Sequence, residues 1–151
     1  MDKILVSECL YGDRIVRYDG GECPETDPRF LKWKEEGRLV KICPEVFGGL
    51  PTPRPDSQRQ PDGTVKACTG EDVTKEYKKG ADEVLRLAKE NNVVFCIMKT
   101  HSPSCGSRFI YDGSFTDKIT GGQGLAVEYL RNAGFIVFGE DQLDEAEEKL
   151  K

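Results

Sequence analysis

Val93-Val-Phe-Cys-Ile-Met98 is a run of six apolar residues, bounded by Asn91–Asn92 before it and Lys99–Thr100 after it. A short run that is continuously apolar, rather than alternating, suits a strand buried on both faces, as in a parallel sheet. The same reading extends outward to Ile4–Leu5–Val6, Leu39–Val40–Lys41–Ile42 and Phe135–Ile136–Val137–Phe138. Helical patterns separate these runs. Asp27–Pro28 reads as a cap followed by a first-turn proline and Gly37 as a stop, which predicts a helix over 28–36. Val73, Tyr77, Ala81, Val84 and Ala88 recur at helical spacing between Asp72 and Glu90. Leu125, Ala126, Tyr129, Leu130 and Ala133 form another stripe, closed by Gly134, and the charged tail from Asp141 to Lys151 reads as a short solvated helix.

Strands alternating with helices predict an α/β class, here a single Rossmann-like three-layer domain over residues 1–151 with a mostly parallel sheet. Two stretches break the alternation. Residues 48–70 are rich in Gly and Pro and then polar, a long loop of the kind that usually serves function. Residues 107–117 read as a small hairpin insertion turning at Asp112–Gly113.

The 151 residues carry 22 basic and 27 acidic side chains, a net charge of −5. That balance argues against a nucleic-acid polymer as partner, since duplex binding needs a basic surface. No apolar run approaches the ~20 residues of a membrane span. No basic segment followed by an apolar stretch marks a secretory leader. The expected location is therefore cytoplasmic, where thiols stay reduced. Monomer and homodimer are left open.

In that setting six cysteines invite a question: Cys9, Cys23, Cys43, Cys68, Cys96 and Cys105. None forms a C-x-x-C pair, which excludes zinc ribbons and thioredoxin-type motifs. In parallel sheets, functional groups gather just past the carboxyl ends of strands. Cys9 lies three residues past Val6, Cys43 directly follows Ile42, and Cys105 lies seven past Met98. These three are expected at one edge of the sheet. Cys96 sits inside the central strand and reads as a small core residue. Three thiolates leave one position open on a zinc ion or one free iron on an iron–sulfur cluster, and spacing does not separate the two.

Glu45, two residues after Cys43, is placed to act as general base on water, or as a helix cap. Ser102 and Ser104 flank Pro103 beside Cys105, where either hydroxyl is a candidate for substrate contact or proton relay. His101 is the single histidine. Arg14, Arg17, Arg54, Lys99 and Arg108 fall near the same edge, as counter-charge or as solvated surface. Gly121-Gly-Gln-Gly124 before a helix offers a weak phosphate-cradle signal, for which a plain turn is the simpler reading.

Several longer stretches are distinctive: Ile4-Leu-Val-Ser-Glu-Cys-Leu-Tyr-Gly12, Val16-Arg-Tyr-Asp-Gly-Gly21, Cys43-Pro-Glu-Val46 with Gly48-Gly-Leu-Pro-Thr-Pro-Arg54, Gly70-Glu-Asp-Val-Thr74, Lys99-Thr-His-Ser-Pro-Ser-Cys-Gly-Ser107 and Ile110-Tyr-Asp-Gly-Ser-Phe115. Together they resemble the small bacterial thiouracil desulfidase family. The resemblance runs in order from about residue 4 to 140. It implies a 4Fe–4S cluster held by Cys9, Cys43 and Cys105, with Glu45 and Ser102 in acid–base roles. It also implies a thiolated pyrimidine base as the small-molecule substrate. The reaction would be a non-redox desulfuration, thiouracil to uracil with hydrosulfide release, in which the open iron binds the substrate sulfur as a Lewis acid. Two other readings stand beside it: a non-catalytic metal-binding or redox-sensing module, and a sulfur-transfer enzyme acting on another thioamide.

Overall fold

The computed structural model describes residues 1–12, 24–100 and 102–150. Along the chain, β1 (Ile4–Ser7) runs into the one-turn α1 (Glu8–Tyr11), and α2 (Pro28–Glu35) leads to β2 (Leu39–Ile42) and the short α3 (Pro44–Phe47). A hairpin of β3 (Ser57–Arg59) and β4 (Val65–Ala67) precedes the long α4 (Thr74–Glu90) and β5 (Phe95–Met98). A second hairpin, β6 (Phe109–Tyr111) and β7 (Ile119–Gly121), is followed by α5 (Leu125–Asn132), β8 (Val137–Gly139) and α6 (Leu143–Lys149).

The four apolar strands form one parallel sheet in the order β2-β1-β5-β8. Side chains of a strand alternate between faces, and here both faces are covered. Leu5 and Cys96 pack with Ala81, Val84, Ala126 and Leu130 of α4 and α5 on one side. Ile4, Val6, Phe95 and Ile97 pack with Phe30 and Trp33 of α2 on the other. There Phe95 meets Trp33 and Phe138 edge-to-face, with ring centroids 6.2 and 5.6 Å apart. The architecture is the expected three-layer α/β arrangement, and Cys96 is fully buried in it.

The sequence expectations miss in four places, each for a local reason. The stretch 48–70, expected as a long loop, folds in part into the β3–β4 hairpin, whose strands are too short and polar to show a period. The strands predicted to begin at Val93 and Phe135 begin two residues later. Val93 N–H donates to Ala88 O and Phe135 N–H to Leu130 O, so each residue closes the preceding helix, and Val94 and Ile136 face solvent. The tail is not a solvated cap: Leu143 and Ala146 are buried and complete the layer beside α2. The second hairpin turns over residues 112–118 rather than at Asp112–Gly113 alone. Asp112 N–H bonds Lys118 O at 2.9 Å, and Gln58 Oε1 accepts from Gly113 N and Phe115 N. Among the described residues no helix is long and apolar enough to cross a membrane.

Candidate active site

Because β1, β2 and β5 are parallel neighbours, their carboxyl ends share one edge. Each is followed by a cysteine-bearing segment, and Cys9, Cys43 and Cys105 line a single cavity of about 340 Å³. Cys9 and Cys43 are half-buried and Cys105 is buried. Cys68 is exposed and outside the cavity lining. A wider groove of about 650 Å³ along α4, lined by Lys75, Lys78 and Lys79 among others, has no cysteine.

Cys43 is set by the transition from β2 into α3. Its backbone is still extended, and Pro44 then fixes the first helical position. The single turn of α3 lies on α4 at Gly80, where a β-carbon would stand 2.0 Å from the Pro44 carbonyl oxygen. A glycine in mid-helix costs ~1 kcal/mol in propensity. Here it is required for the backbones to touch.

Cys105 is set by its own loop and by α5. Ser102 Oγ accepts from Ser104 N and Cys105 N, both at 3.1 Å. Gly124, Leu125 and Ala126 then donate their amides to Gly106 O, Pro103 O and Ser104 O at 2.9 to 3.0 Å. A β-carbon on Gly124 would fall 2.4 Å from Ser104 C. The glycine-rich stretch is therefore a docking surface for the Cys105 loop. The amides that a phosphate would need are already engaged, which fits the plain turn and helix start rather than a phosphate cradle.

Glu45, projecting from α3, is held from both sides. Arg54 Nε donates to Oε1 at 3.1 Å and Ser104 Oγ donates to Oε2 at 2.9 Å. Ser102 Oγ lies 3.1 Å from Ser104 Oγ. The Arg54 and Glu45 side chains are only 4% and 13% exposed, a nearly dry ion pair. Arg54 also donates to Pro51 O and Thr52 Oγ1, which ties the long loop to the site. Tyr77 of α4 bonds Glu45, and its hydroxyl is pushed well above the usual phenol range by burial and by the Glu45 charge. Asp56 is raised by burial, with the charges of Glu45 and Asp117 adding to the effect.

Burial sets the thiols as well. It pushes Cys43 up to about 11, helped by the Glu45 charge. Cys105 rises to about 12, through burial and then Cys43, against the opposing hydrogen bonds from Ser7 and Ser104. Such thiols become thiolates when a cation displaces their protons. Among the described residues no three His, Cys, Asp or Glu side chains are arranged to hold a single metal ion. A cluster attaches its cysteines to different irons, so three thiols around one cavity suit it without converging on a point.

The structure thus brings together Cys9, Cys43, Cys105, Glu45, Ser102 and Ser104, with Arg54 and Lys99 in the same lining. Arg108 points elsewhere, into an ion pair with Asp141 at 2.7 Å. Arg14, Arg17, Cys23 and His101 lie outside the described residues. Tyr77 was hidden in the helical stripe, where its hydroxyl was the one polar signal. Asp56 enters from the loop before β3, Ser57 from β3 itself, and Tyr111 and Asp117 from the second hairpin, none of them marked by spacing.

The model of the 2-thiouracil desulfurase family matches residues 4–142. The chain belongs to that family. A relative within reach of this 2-thiouracil desulfurase family member is the uncharacterized protein YbbK of Bacillus subtilis (strain 168). It is 40% identical over 151 residues, covering 94% of this chain and 98% of the relative. A solved structure of a 4Fe–4S-dependent thiouracil desulfidase, TudS, superposes with a TM-score of 0.92. Identity there is 43%, over 96% of this chain and 95% of that one. The desulfurase fold seen here, a four-stranded parallel sheet between helices with small hairpins, is thus shared at high identity.

Proposed function

We propose that this chain desulfurates a thiolated pyrimidine base, converting thiouracil to uracil and hydrosulfide. Cys9, Cys43 and Cys105 would hold a 4Fe–4S cluster. The donor set fits it: three buried or half-buried thiols on three loops around one cavity. Bound there, the cluster would supply Lewis acidity towards a thiocarbonyl sulfur.

The chain's own residues do the remainder. Arg54 holds Glu45 through Oε1, so the carboxylate keeps its orientation without freedom to swing to solvent. Glu45 takes a proton from the attacking water, which forms the new carbon–oxygen bond. Ser102 supplies a proton as the carbon–sulfur bond breaks. The base gains oxygen, sulfur leaves as hydrosulfide, and no net redox change occurs. A cavity of about 340 Å³ suits one small heterocycle.

The observation that carries this reading is the Glu45–Ser104 hydrogen bond inside the cavity lined by the three thiols. A non-catalytic metal module has no use for a buried, cation-held carboxylate joined to a serine pair at its centre. The test is hydrosulfide and uracil formation from 2-thiouracil and 4-thiouracil by anaerobically reconstituted protein. Turnover by the wild type, abolished in Glu45→Ala with an unchanged cluster spectrum, is the expected result. A loaded wild type that releases no hydrosulfide would overturn the reading in favour of a sensor or a different thioamide.

A further inference from the structure

Ser104 is 1% exposed and stands between the two residues to which acid–base roles were assigned. We infer that Ser104 is a positioning residue that carries a proton from Glu45 to Ser102, so that the proton taken from the attacking water is delivered to the departing sulfur. The inference rests on the desulfuration reading and deepens it.

The resting polarity follows from counting donors. A serine hydroxyl has one proton and two lone pairs. Both lone pairs of Ser102 Oγ are engaged by Ser104 N–H and Cys105 N–H at 3.1 Å. Ser102 therefore meets Ser104 Oγ as the donor, and the single proton of Ser104 goes to Glu45 Oε2 at 2.9 Å in preference to Cys105 Sγ at 3.7 Å. The resting chain runs Ser102 O–H to Ser104 O–H to the Glu45 carboxylate. With its lone pairs engaged, Ser102 is a poor acceptor for a proton from water, and it can take one from Ser104 only as it gives up its own. The two amides that hold its oxygen also stabilise the negative charge left behind when it donates.

The transfer balances. The water O–H bond breaks and a Glu45 O–H bond forms. Protonated Glu45 is then a donor and the resting polarity reverses. Ser102 turns its O–H to the departing sulfur and gives up that proton, the lone pair so freed accepts the Ser104 proton, and Ser104 takes the proton of Glu45 as the Glu45 O–H bond breaks. Each hydroxyl gains and loses one proton, the carboxylate returns to its starting state, and no electrons are exchanged. Burial of Ser104 keeps bulk water from short-circuiting the path. The loop is held for this purpose from outside, by Ala126 N–H on Ser104 O at 2.9 Å.

The test compares wild type, Ser104→Ala and Ser104→Thr, each loaded with its cluster, in mixtures of light and heavy water. In the wild type kcat should depend on deuterium fraction along a curve, the mark of several protons moving together. Ser104→Ala should lose about tenfold or more in kcat, with KM and the cluster absorbance unchanged and the dependence now linear. Ser104→Thr should recover most of the rate, since it restores the hydroxyl. A linear wild-type dependence would overturn the relay without any variant. So would Ser104→Ala with kcat within about twofold of wild type, or Ser104→Ala that loses its cluster band, which would make Ser104 structural. Failure of the wild type to release hydrosulfide would instead remove the desulfuration reading itself, and the relay with it.

Discussion

Gly80 on α4 and Pro44 at the start of α3 meet backbone to backbone, with 2.0 Å between the Pro44 carbonyl oxygen and the place a β-carbon on Gly80 would occupy. Two effects oppose each other in Gly80→Ala. Alanine gains ~1 kcal/mol of helix propensity, but the obstacle is main chain and cannot rotate away. Overpacking of this kind costs ~1–3 kcal/mol, so the clash wins. Chemical denaturation should show net destabilisation. The cluster content after reconstitution should also fall, because Cys43 and Glu45 ride on the displaced turn.

The thiols separate into two sets. Cys9→Ala, Cys43→Ala and Cys105→Ala should each lose the brown chromophore of the reconstituted protein. Cys68→Ala and Cys96→Ala should keep it. Cys68 is exposed and away from the cavity, and Cys96 is enclosed in the core. Absorbance of the anaerobic protein reads this directly, and a chromophore surviving Cys43→Ala would sink the assignment of ligands.

Arg54→Ala removes the cation from a nearly dry pair and leaves Glu45 buried with its charge uncompensated. Breaking such a pair costs ~3–5 kcal/mol. It should appear as a lower denaturation midpoint together with loss of turnover. Arg54→Lys restores charge but not the fork that reaches Glu45, Pro51 and Thr52 at once. It should recover part of the stability and little of the rate.

Stability of the cluster-free protein should fall in alkali. Cys43 is raised from 9.0 to about 11, and Cys105 from 9.0 to about 12, mainly by burial. Buried Cys96 is likewise raised to about 12. Raised pKa values mean that the unfolded chain releases these protons first, so the contribution is whole below pH 9 and declines as pH rises towards 11 to 12. Thermal melts across that range should show Tm falling, with a shallower fall in Cys96→Ala relative to its own value at neutral pH.

The sheet was legible in the sequence because its four strands are continuously apolar and the helices between them carry stripes. The first hairpin was not. Its strands are three residues long and partly polar, and buried Gln58 works by bonding the amides of Gly113 and Phe115 in the other hairpin. No hydrophobic period records such a contact. Strand-end position found the three cavity cysteines without help from spacing motifs. Both serines of Ser102-Pro-Ser104 were visible as candidates, but which one meets Glu45 depends on a contact 59 residues away in the chain. Tyr77 was masked because its ring serves the core while its hydroxyl serves the site.

The strand order β2-β1-β5-β8 has a consequence for biogenesis. Cys9 and Cys105 stand at the ends of the two middle strands, β1 and β5, which the chain produces far apart in time. The Cys105 loop is further held by the first amides of α5, at residues 124 to 126. A nascent chain that has emerged only through α3 therefore offers Cys9 and Cys43 but no enclosed pocket. Iron and sulfide should accordingly be inserted into a finished, folded protein, which makes maturation a delivery step rather than a folding step.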